Sequence, residues 1–532
     1  MDRKLFRSSC QCRIGGLLFS LLLFLSCFGQ QVSTQELEKY RSWPRYALLV
    51  RFYTASNRQL AWLGKPALQN SLRQILQTAS ALGLDETDYQ PAFFQTGTDH
   101  RPLKTRTDSV ETDLRFTDAA LHFFSDVKNG NRPPAFRYDG LRYAPGTEKL
   151  AEELGLAVAN ASLSNFMASI QPVQPAYTNA LMQLATFQQA AAADGFNDAK
   201  VISTKVDSTN RSLLRRLVQL GITENGMSSA TKMEVSQNLK LAQRQFDLQE
   251  DGKIGSATLA ALNVPLRQRI QALRIFINTL RWLDQLEKSG PVLVLNLAAT
   301  RFFLYENGKI LFESKVIAGK KSTPSPTLTS TITEVILYPY WMVPSKIATK
   351  EMLPRIRRNI GYLEEGNYQV LNRSGHAVNP YSINWWALSR GYFPYVIRQS
   401  TGCDNALGIV KFNFSNPFTV YLHDTPTKTL FSSDRRYYSH GCMRIEKPIE
   451  LARYLLGFNR IAIDTLTAKG CLEHQSPLPV PVQKRLPLVV LYSTVWYTAN
   501  GDLRFYEDVY GKLNDRLTAE ALVGNNQFAV GW

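Results

Sequence analysis

With 532 residues the chain has room for about three domains of ordinary size, so more than one hydrophobic core is expected. Hydrophobic residues at 44% and charged residues at 20% exclude a collagen-like, low-complexity or disordered bulk. A formal net charge of +17 suits an anionic surface, whether nucleic acid, membrane or cell wall; charge alone neither chooses among these nor separates them from plain solubility.

Residues 1–29 read as an export signal, because Arg3, Lys4, Arg7 and Arg13 precede an apolar run from Ile14 to Phe28. That run falls short of the ~20 residues that span a bilayer, so a cleaved peptide is expected rather than a permanent anchor. Its end carries two readings. Leu25-Ser26-Cys27 resembles a bacterial lipoprotein cleavage box, which would place a lipid anchor on Cys27; ordinary cleavage after Gly29 stands beside it. Cys10, Cys12 and Cys27 belong to this segment and leave Cys403, Cys442 and Cys471, an odd count that guarantees one free thiol in a monomer. Pairing of Cys403 with Cys471 would leave Cys442 free, but connectivity is not fixed by sequence.

From 30 to 230 the pattern is helical and carries no catalytic constellation, which reads as a support domain. Leu68, Leu72, Ile75, Leu76, Ala79 and Leu82 recur at the spacing of one buried helix face that Gly83 ends. A second helix is expected over 117–127, with Thr117 as its cap and Gly130 and Pro133-Pro134 beyond its end. Residues 231–265 read as helix, turn and helix: Leu241 to Phe246, then Asp251-Gly252 for the turn, then Ser256 capping a helix that Leu259 and Leu262 fasten to a core. The string Asp251-Gly252-Lys253-Ile254-Gly255 with Thr258-Leu259-Ala260-Ala261-Leu262 resembles the small three-helix peptidoglycan-binding module of cell-wall enzymes. A linking helix follows over 266–288.

At 289 the period changes from helix to sheet. Val292 to Leu297 and Phe302 to Tyr305 alternate as strands, Glu306-Asn307-Gly308 turns the chain into Ile310-Leu311-Phe312, and 319–326 is a loop before a strand over 331–338. Residues 345–397 interrupt the sheet pattern with a helical piece and aromatic-rich loops at Tyr362, Tyr381, Trp385, Trp386, Tyr392 and Tyr395. Read by themselves these aromatics form the insertion's own small core. After 445 come a helix over 449–456 and a strand over 460–463. In 471–532, a strand over 488–497 and a second over 502–505, joined through Asn500-Gly501, make a hairpin.

The chemistry concentrates in Tyr437-Tyr438-Ser439-His440-Gly441-Cys442-Met443-Arg444, preceded by His423 in Val420-Tyr421-Leu422-His423-Asp424. A cysteine attacks as thiolate and needs a base or a positive charge beside it, which His423, His440 and Arg444 can supply. The stretch between His423 and Cys442 leaves room for a hairpin-like return, and a residue on the adjacent strand comes directly opposite the thiol, which favours His423 over His440 as base. Two other readings use the same residues: Cys442 in a disulfide, or Cys442, His440 and His423 as zinc ligands.

The string Ser439-His440-Gly441-Cys442-Met443-Arg444 resembles the signature of the L,D-transpeptidases, and His423 lies where that family has its base. Tyr338-Pro339-Tyr340-Trp341-Met342-Val343-Pro344-Ser345 and Gly402-Cys403-Asp404-Asn405-Ala406-Leu407-Gly408 resemble further blocks of its catalytic domain, although Cys403 and the absence of proline in Gln399-Ser400-Thr401 depart from it. Segments 81–89 and 116–119 are similar to the helical scaffold of the larger members. The resemblance implies an α+β multidomain protein. Its parts are a helical scaffold over 30–230, the module over 231–265 and a mainly-β catalytic domain over 289–470 that carries a capping insertion over 345–397, with strands in 471–532 completing it.

What the resemblance implies for function is an enzyme of the cell envelope or periplasm. Cys442 attacks the third residue of a stem tetrapeptide, expels D-alanine and, through a thioester, forms 3-3 cross-links in peptidoglycan. His423 serves as base, its ring oriented by the backbone near Asp424. Ser439, His440, Gly441, Met443 and Arg444 shape the pocket, with the 441–443 amides as oxyanion donors. Tyr421, Asn405 and Trp341 are candidates for substrate binding. Partners are stem peptides and glycan strands, not nucleic acid, and no cofactor or metal is implied. L,D-carboxypeptidase action on the same substrate and non-catalytic peptidoglycan binding are the alternatives.

Overall fold

The computed structural model describes residues 31–89, 105–193, 200–223, 230–402, 404–457 and 476–513. The export segment, Cys403, Cys471 and the strand expected at 460–463 lie outside the described residues. The described residues form two compact units. One lies within Met1–Pro133, Ala144–Val173 and Ile277–Trp282; the other lies within Pro134–Tyr143, Gln174–Phe276 and Leu283–Trp532.

The first unit is helical. Helix Pro66–Leu76 buries Leu68, Leu72 and Leu76, and Ala79 and Leu82 continue that face into a short turn closed by Gly83. The helix expected to start at Thr117 instead spans Arg106–Asn129, capped by Thr105 in a reciprocal box with Asp108. Thr117 is buried at mid-helix, where its hydroxyl meets the Tyr53 hydroxyl and accepts from Trp62 Nε1. One turn earlier Asp113 takes the Tyr53 hydroxyl and the amides of Ala61, Trp62 and Leu63. A buried carboxylate so fully hydrogen-bonded is structural, and it pins the 61–63 turn.

The support domain expected over 30–230 is not one body. Residues 134–143 and those after 174 belong with the sheet: Tyr138–Asp139 pairs in parallel with Leu328 and Thr329, Asn179 Nδ2 donates to Gly501 O at 3.0 Å, and Phe187 packs on Phe505. Such long-range partners leave no periodic trace in the helical sequence. The 231–265 segment contains helices Lys232–Gln245 and Ser256–Leu262, followed by Leu266–Glu287. Gln243 organises the turn: its amide nitrogen donates to Asp251 Oδ1, Lys253 O and Thr258 Oγ1, and its oxygen accepts from the Gly252 amide. Ser256 is the first helical residue rather than the cap, a place Gly255 takes without a side-chain bond.

The centre of the second unit is a mixed sheet of ten strands. Strand Leu328–Leu337 is followed across the sheet by Leu478–Leu491, Val292–Asn296, Arg301–Glu306, Lys309–Gly319, Met443–Ile445, Leu422–His423 and Val410–Phe414, and this last strand pairs back onto Leu328–Leu337, so the sheet closes on itself. The 306–309 hairpin forms as expected, with Asn307 and Gly308 both left-handed. The expected 488–497 strand divides. Its first part lies between Leu328–Leu337 and Val292–Asn296, while Val495–Tyr497 pairs with Leu503–Phe505 as a separate hairpin. The break falls at Ser493, whose amide and carbonyl are both held by the Asn296 side chain. Inside the closed sheet Phe412, Leu422, Met443, Val316 and Ala318 share one apolar core.

The insertion is a small body with its own core. Strands Trp341–Met342 and Tyr368–Leu371 flank Val396–Gln399, and Met352, Leu353, Ile356, Val370, Trp385 and Ile397 pack together. Trp385 is therefore core, as expected, whereas Tyr381, Trp386 and Tyr392 stay exposed. Its helical piece includes a π turn over Ala348–Met352, just before Pro354, whose missing N–H cannot continue an ordinary ladder.

Candidate active site

Two edges of the closed sheet meet at Cys442. Strand Leu422–His423 runs parallel to Met443–Ile445, with Leu422 beside Met443 and His423 beside Arg444, so the connection is a parallel crossover and not the hairpin-like return expected from sequence. On its other side it pairs antiparallel with Val410–Phe414, placing Lys411 beside His423. Because Phe412, Leu422 and Met443 face the core, the alternation of the pleat puts Lys411, His423 and Arg444 in one row on the opposite face. Tyr421 and Cys442 form the next row: the Met443 amide donates to Tyr421 O at 3.1 Å. His423 is thus the diagonal neighbour of the thiol, not the residue directly opposite, a separation an imidazole can span.

The turn before Cys442 is held from both sides. Strand Tyr437–Ser439 lies parallel to the end of Lys309–Gly319. The Ser439 hydroxyl donates to Cys442 O at 2.5 Å and accepts from the Gly441 amide at 3.1 Å. Ser325 Oγ donates to Gly441 O at 2.8 Å, and the Lys320 amide donates to Ser439 O. The 319–326 loop, legible in sequence only as a loop, therefore clamps the Cys442 turn. Gly319 is required there, since a Cβ would lie 2.2 Å from Thr323 O.

The chain matches the model of the L,D-transpeptidase catalytic domain over residues 290–478 and that of a scaffold domain over residues 47–184. It carries an L,D-transpeptidase catalytic domain. A Haemophilus influenzae protein named "Putative L,D-transpeptidase" is 32% identical over 270 residues, which are 48% of this chain and 54% of that protein. The chain thus spans about half the length of this curated relative. Among solved structures, an L,D-transpeptidase from Mycobacterium smegmatis matches at 17% identity over 38% of this chain and 58% of its own, with a TM-score of 0.18. The structure of the Ldtfm-avibactam carbamoyl enzyme matches at 11% over 48% and 80%, with a TM-score of 0.18.

Within this transpeptidase domain the His423 ring is fixed by its neighbour's backbone, with Nδ1 at 2.5 Å from Asp424 O. A carbonyl only accepts, so the proton sits on Nδ1 and Nε2 presents a lone pair, with no hydrogen-bond partner among the described residues. Burial, then the Arg444 and Lys411 charges, push the His423 pKa down to about 3, so the ring is neutral. The Asp424 carboxylate faces elsewhere: it accepts from the Ile409 amide at 3.0 Å and pairs with Lys428. Gly408 makes room for it, because a Cβ there would stand 2.3 Å from Asp424 Oδ2.

Cys442 is a free thiol. Burial raises its pKa, opposed by the amide and hydroxyl of Tyr421, which both donate toward sulfur, and by Lys411 and Arg444. Trp341 in turn donates to the Tyr421 hydroxyl, so Trp341, Tyr421 and Sγ form a chain. In this state sulfur and His423 Nε2 are not hydrogen-bonded. His440 turns its Nε2 to Glu351 Oε1 at 2.8 Å, tying the turn to the insertion's π turn.

Three sequence expectations need correction. Asn405 is fully buried and spends its side chain on Pro339 O, Ser400 O and the Leu407 amide, so it shapes a loop and is not available to substrate. The Met443 side chain lies in the core beneath the sheet, not in the pocket. Of the 441–443 amides, those of Gly441 and Met443 are already bonded, to Ser439 Oγ and Tyr421 O, so they are not the oxyanion donors expected from that turn. Lys411 and Glu351 were missed. Lys411 had a readable signal, a lysine alternating with Phe412 and Phe414 on a half-buried strand; Glu351 had none. Among the described residues no helix is long and apolar enough to cross a membrane.

Proposed function

We propose that the protein is a cysteine L,D-transpeptidase of the cell envelope that joins peptidoglycan stem peptides through 3-3 cross-links. The observation that carries this reading is a half-buried thiol, Cys442, beside a neutral imidazole, His423, whose Nε2 lone pair has no partner among the described residues. In the first half-reaction the thiol proton passes to His423 Nε2 while Sγ bonds to the carbonyl carbon of the third stem residue. The Cys442 amide donates to the oxygen that becomes negative. Collapse breaks the C–N bond to the terminal D-alanine, whose nitrogen leaves with the proton from His423, and a thioester remains. In the second half-reaction an amine of a neighbouring stem attacks the thioester and gives its proton to His423, which returns it to sulfur. Water in place of that amine would make the same intermediate a carboxypeptidase product. Trp341 and Tyr421 hold the thiol and border the acyl group, and the export segment would bring the enzyme to this substrate.

Intact mass after incubation with a disaccharide-tetrapeptide tests the proposal. The wild type is expected to gain the acyl group with loss of D-alanine, and Cys442→Ala to gain nothing. Acylation of Cys442→Ala, or none of folded wild type, would refute it. His423→Ala should abolish acylation, whereas His440→Ala, which loses only the Glu351 tie, should slow it; the opposite order would overturn the assignment of the base while leaving the nucleophile.

A further inference from the structure

The peptide unit that joins Gly441 to Cys442 is held differently from its neighbours. The unit before it is fixed by the Ser439 hydroxyl on the Gly441 amide, and the unit after it by Ser439 on Cys442 O and by Tyr421 O on the Met443 amide. The middle unit has one hydrogen bond among the described residues, from Ser325 Oγ to Gly441 O at 2.8 Å, and its own N–H, the Cys442 amide, has none. Gly441 sits at φ +122°, a region open to glycine, so its backbone does not itself choose the angle of this unit. Because the peptide is planar and trans, its C=O and N–H point in opposite directions, and whatever holds Gly441 O also aims the Cys442 N–H.

Ser325 is in turn held by a residue far along the chain. Its hydroxyl accepts from the Gly319 amide at 3.0 Å, its amide donates to the Tyr510 hydroxyl at 3.4 Å, and that hydroxyl donates to Gly319 O at 2.5 Å. One phenol thus closes the 319–325 loop at both of its ends. Burial pushes the Tyr510 pKa up to about 12, so the proton stays on the oxygen. The ring stacks on Tyr492 with centroids 5.2 Å apart and meets Tyr437 edge-on, and the Tyr510 amide donates to the Tyr492 hydroxyl, which itself donates to Asp508. Tyr510 lies beyond the stretch that matches the catalytic-domain model.

We propose that Tyr510 is a positioning residue for the reaction: it holds the 319–325 loop so that Ser325, through Gly441 O, aims the Cys442 amide at the oxyanion. The inference rests on the transpeptidase reading, in which that amide donates to the oxygen that becomes negative. Tyr510 acts through Ser325 and Gly441, so its hydroxyl matters for the step that builds charge on oxygen and not for the reactivity of the thiol itself.

The test is Tyr510→Phe in the full chain, which keeps the ring and its stacking and removes only the hydroxyl. Acylation of Cys442 by a disaccharide-tetrapeptide is followed by mass, beside alkylation of the same thiol by iodoacetamide, a displacement at saturated carbon that builds no oxyanion. The variant is expected to show a maximal acylation rate about tenfold lower, short of the ~100- to 1,000-fold that removal of an oxyanion donor costs, with little change in the half-saturating donor concentration. Its alkylation should keep the wild-type rate. Ser325→Ala should slow acylation at least as much, and adding Tyr510→Phe to it should cost nothing further, because the two act in series. An unchanged acylation rate, equal slowing of acylation and alkylation, or full additivity in the double variant would overturn the positioning role and leave the transpeptidase reading intact. Wild type that is alkylated but not acylated would refute that reading and this role with it.

Discussion

Replacing Asn405 by alanine separates a structural from a substrate-binding role for this residue. The side chain is fully buried, donates to Pro339 O at 3.1 Å and to Ser400 O at 2.7 Å, and accepts from the Leu407 amide at 2.8 Å. Alanine leaves three polar backbone groups without this partner, among them the amide of buried Leu407. At ~0.5–1.5 kcal/mol for each hydrogen bond, and more for a donor left unsatisfied in the interior, the loss sums to about 3–5 kcal/mol. Asn405→Asp should fare no better, because an ionised carboxylate cannot donate to two carbonyls. Urea unfolding of the full chain gives the stability change, and acylation at a temperature where the variant stays folded gives its effect on the site. A variant with unchanged unfolding midpoint but weakened substrate binding would refute the assignment.

His423 should make the fold acid-sensitive. Its folded pKa of about 3 lies below the ordinary 6.5, so between those values the unfolded chain takes up a proton that the folded chain does not. Stability should fall as pH drops from about 6.5 toward 3. His423→Gln should flatten that part of a stability–pH curve measured by denaturant titration, and an unchanged slope would contradict a buried neutral ring. Gly408→Ala combines a left-handed backbone, φ +59°, with a Cβ 2.3 Å from Asp424 Oδ2. The backbone alone costs about 1–2 kcal/mol, and displacement of Asp424 should release the His423 ring, so acylation of the folded variant should fall further than its unfolding midpoint predicts.

Local chemistry was legible in the sequence. The hydroxyl, imidazole, glycine and thiol of 439–442, the imidazole of His423 at the end of its strand, the change from helical to strand period near 289 and the Asn307-Gly308 turn are short-range patterns, and each is a statement about neighbours in the chain. Even the carbonyl of Asp424 as the orienter of His423 was readable, because the two residues are adjacent. What the sequence withheld was every relation set by register or by distant packing. The parallel pairing of Leu422–His423 with Met443–Ile445 decides that His423 is diagonal to Cys442 and that Lys411 and Arg444 flank it, and a one-residue shift would have sent all three into the core. Asn405 sits in a motif block, yet only the fold reveals that the Pro339 and Ser400 carbonyls consume it. Helix Pro175–Ala193 has the period of a support helix and belongs with the sheet because Asn179 and Phe187 meet Gly501 and Phe505, residues more than three hundred positions away. Spacing along a chain fixes which groups can share a turn or a face, whereas hydrogen bonds and burial between remote segments are fixed only when the sheet closes.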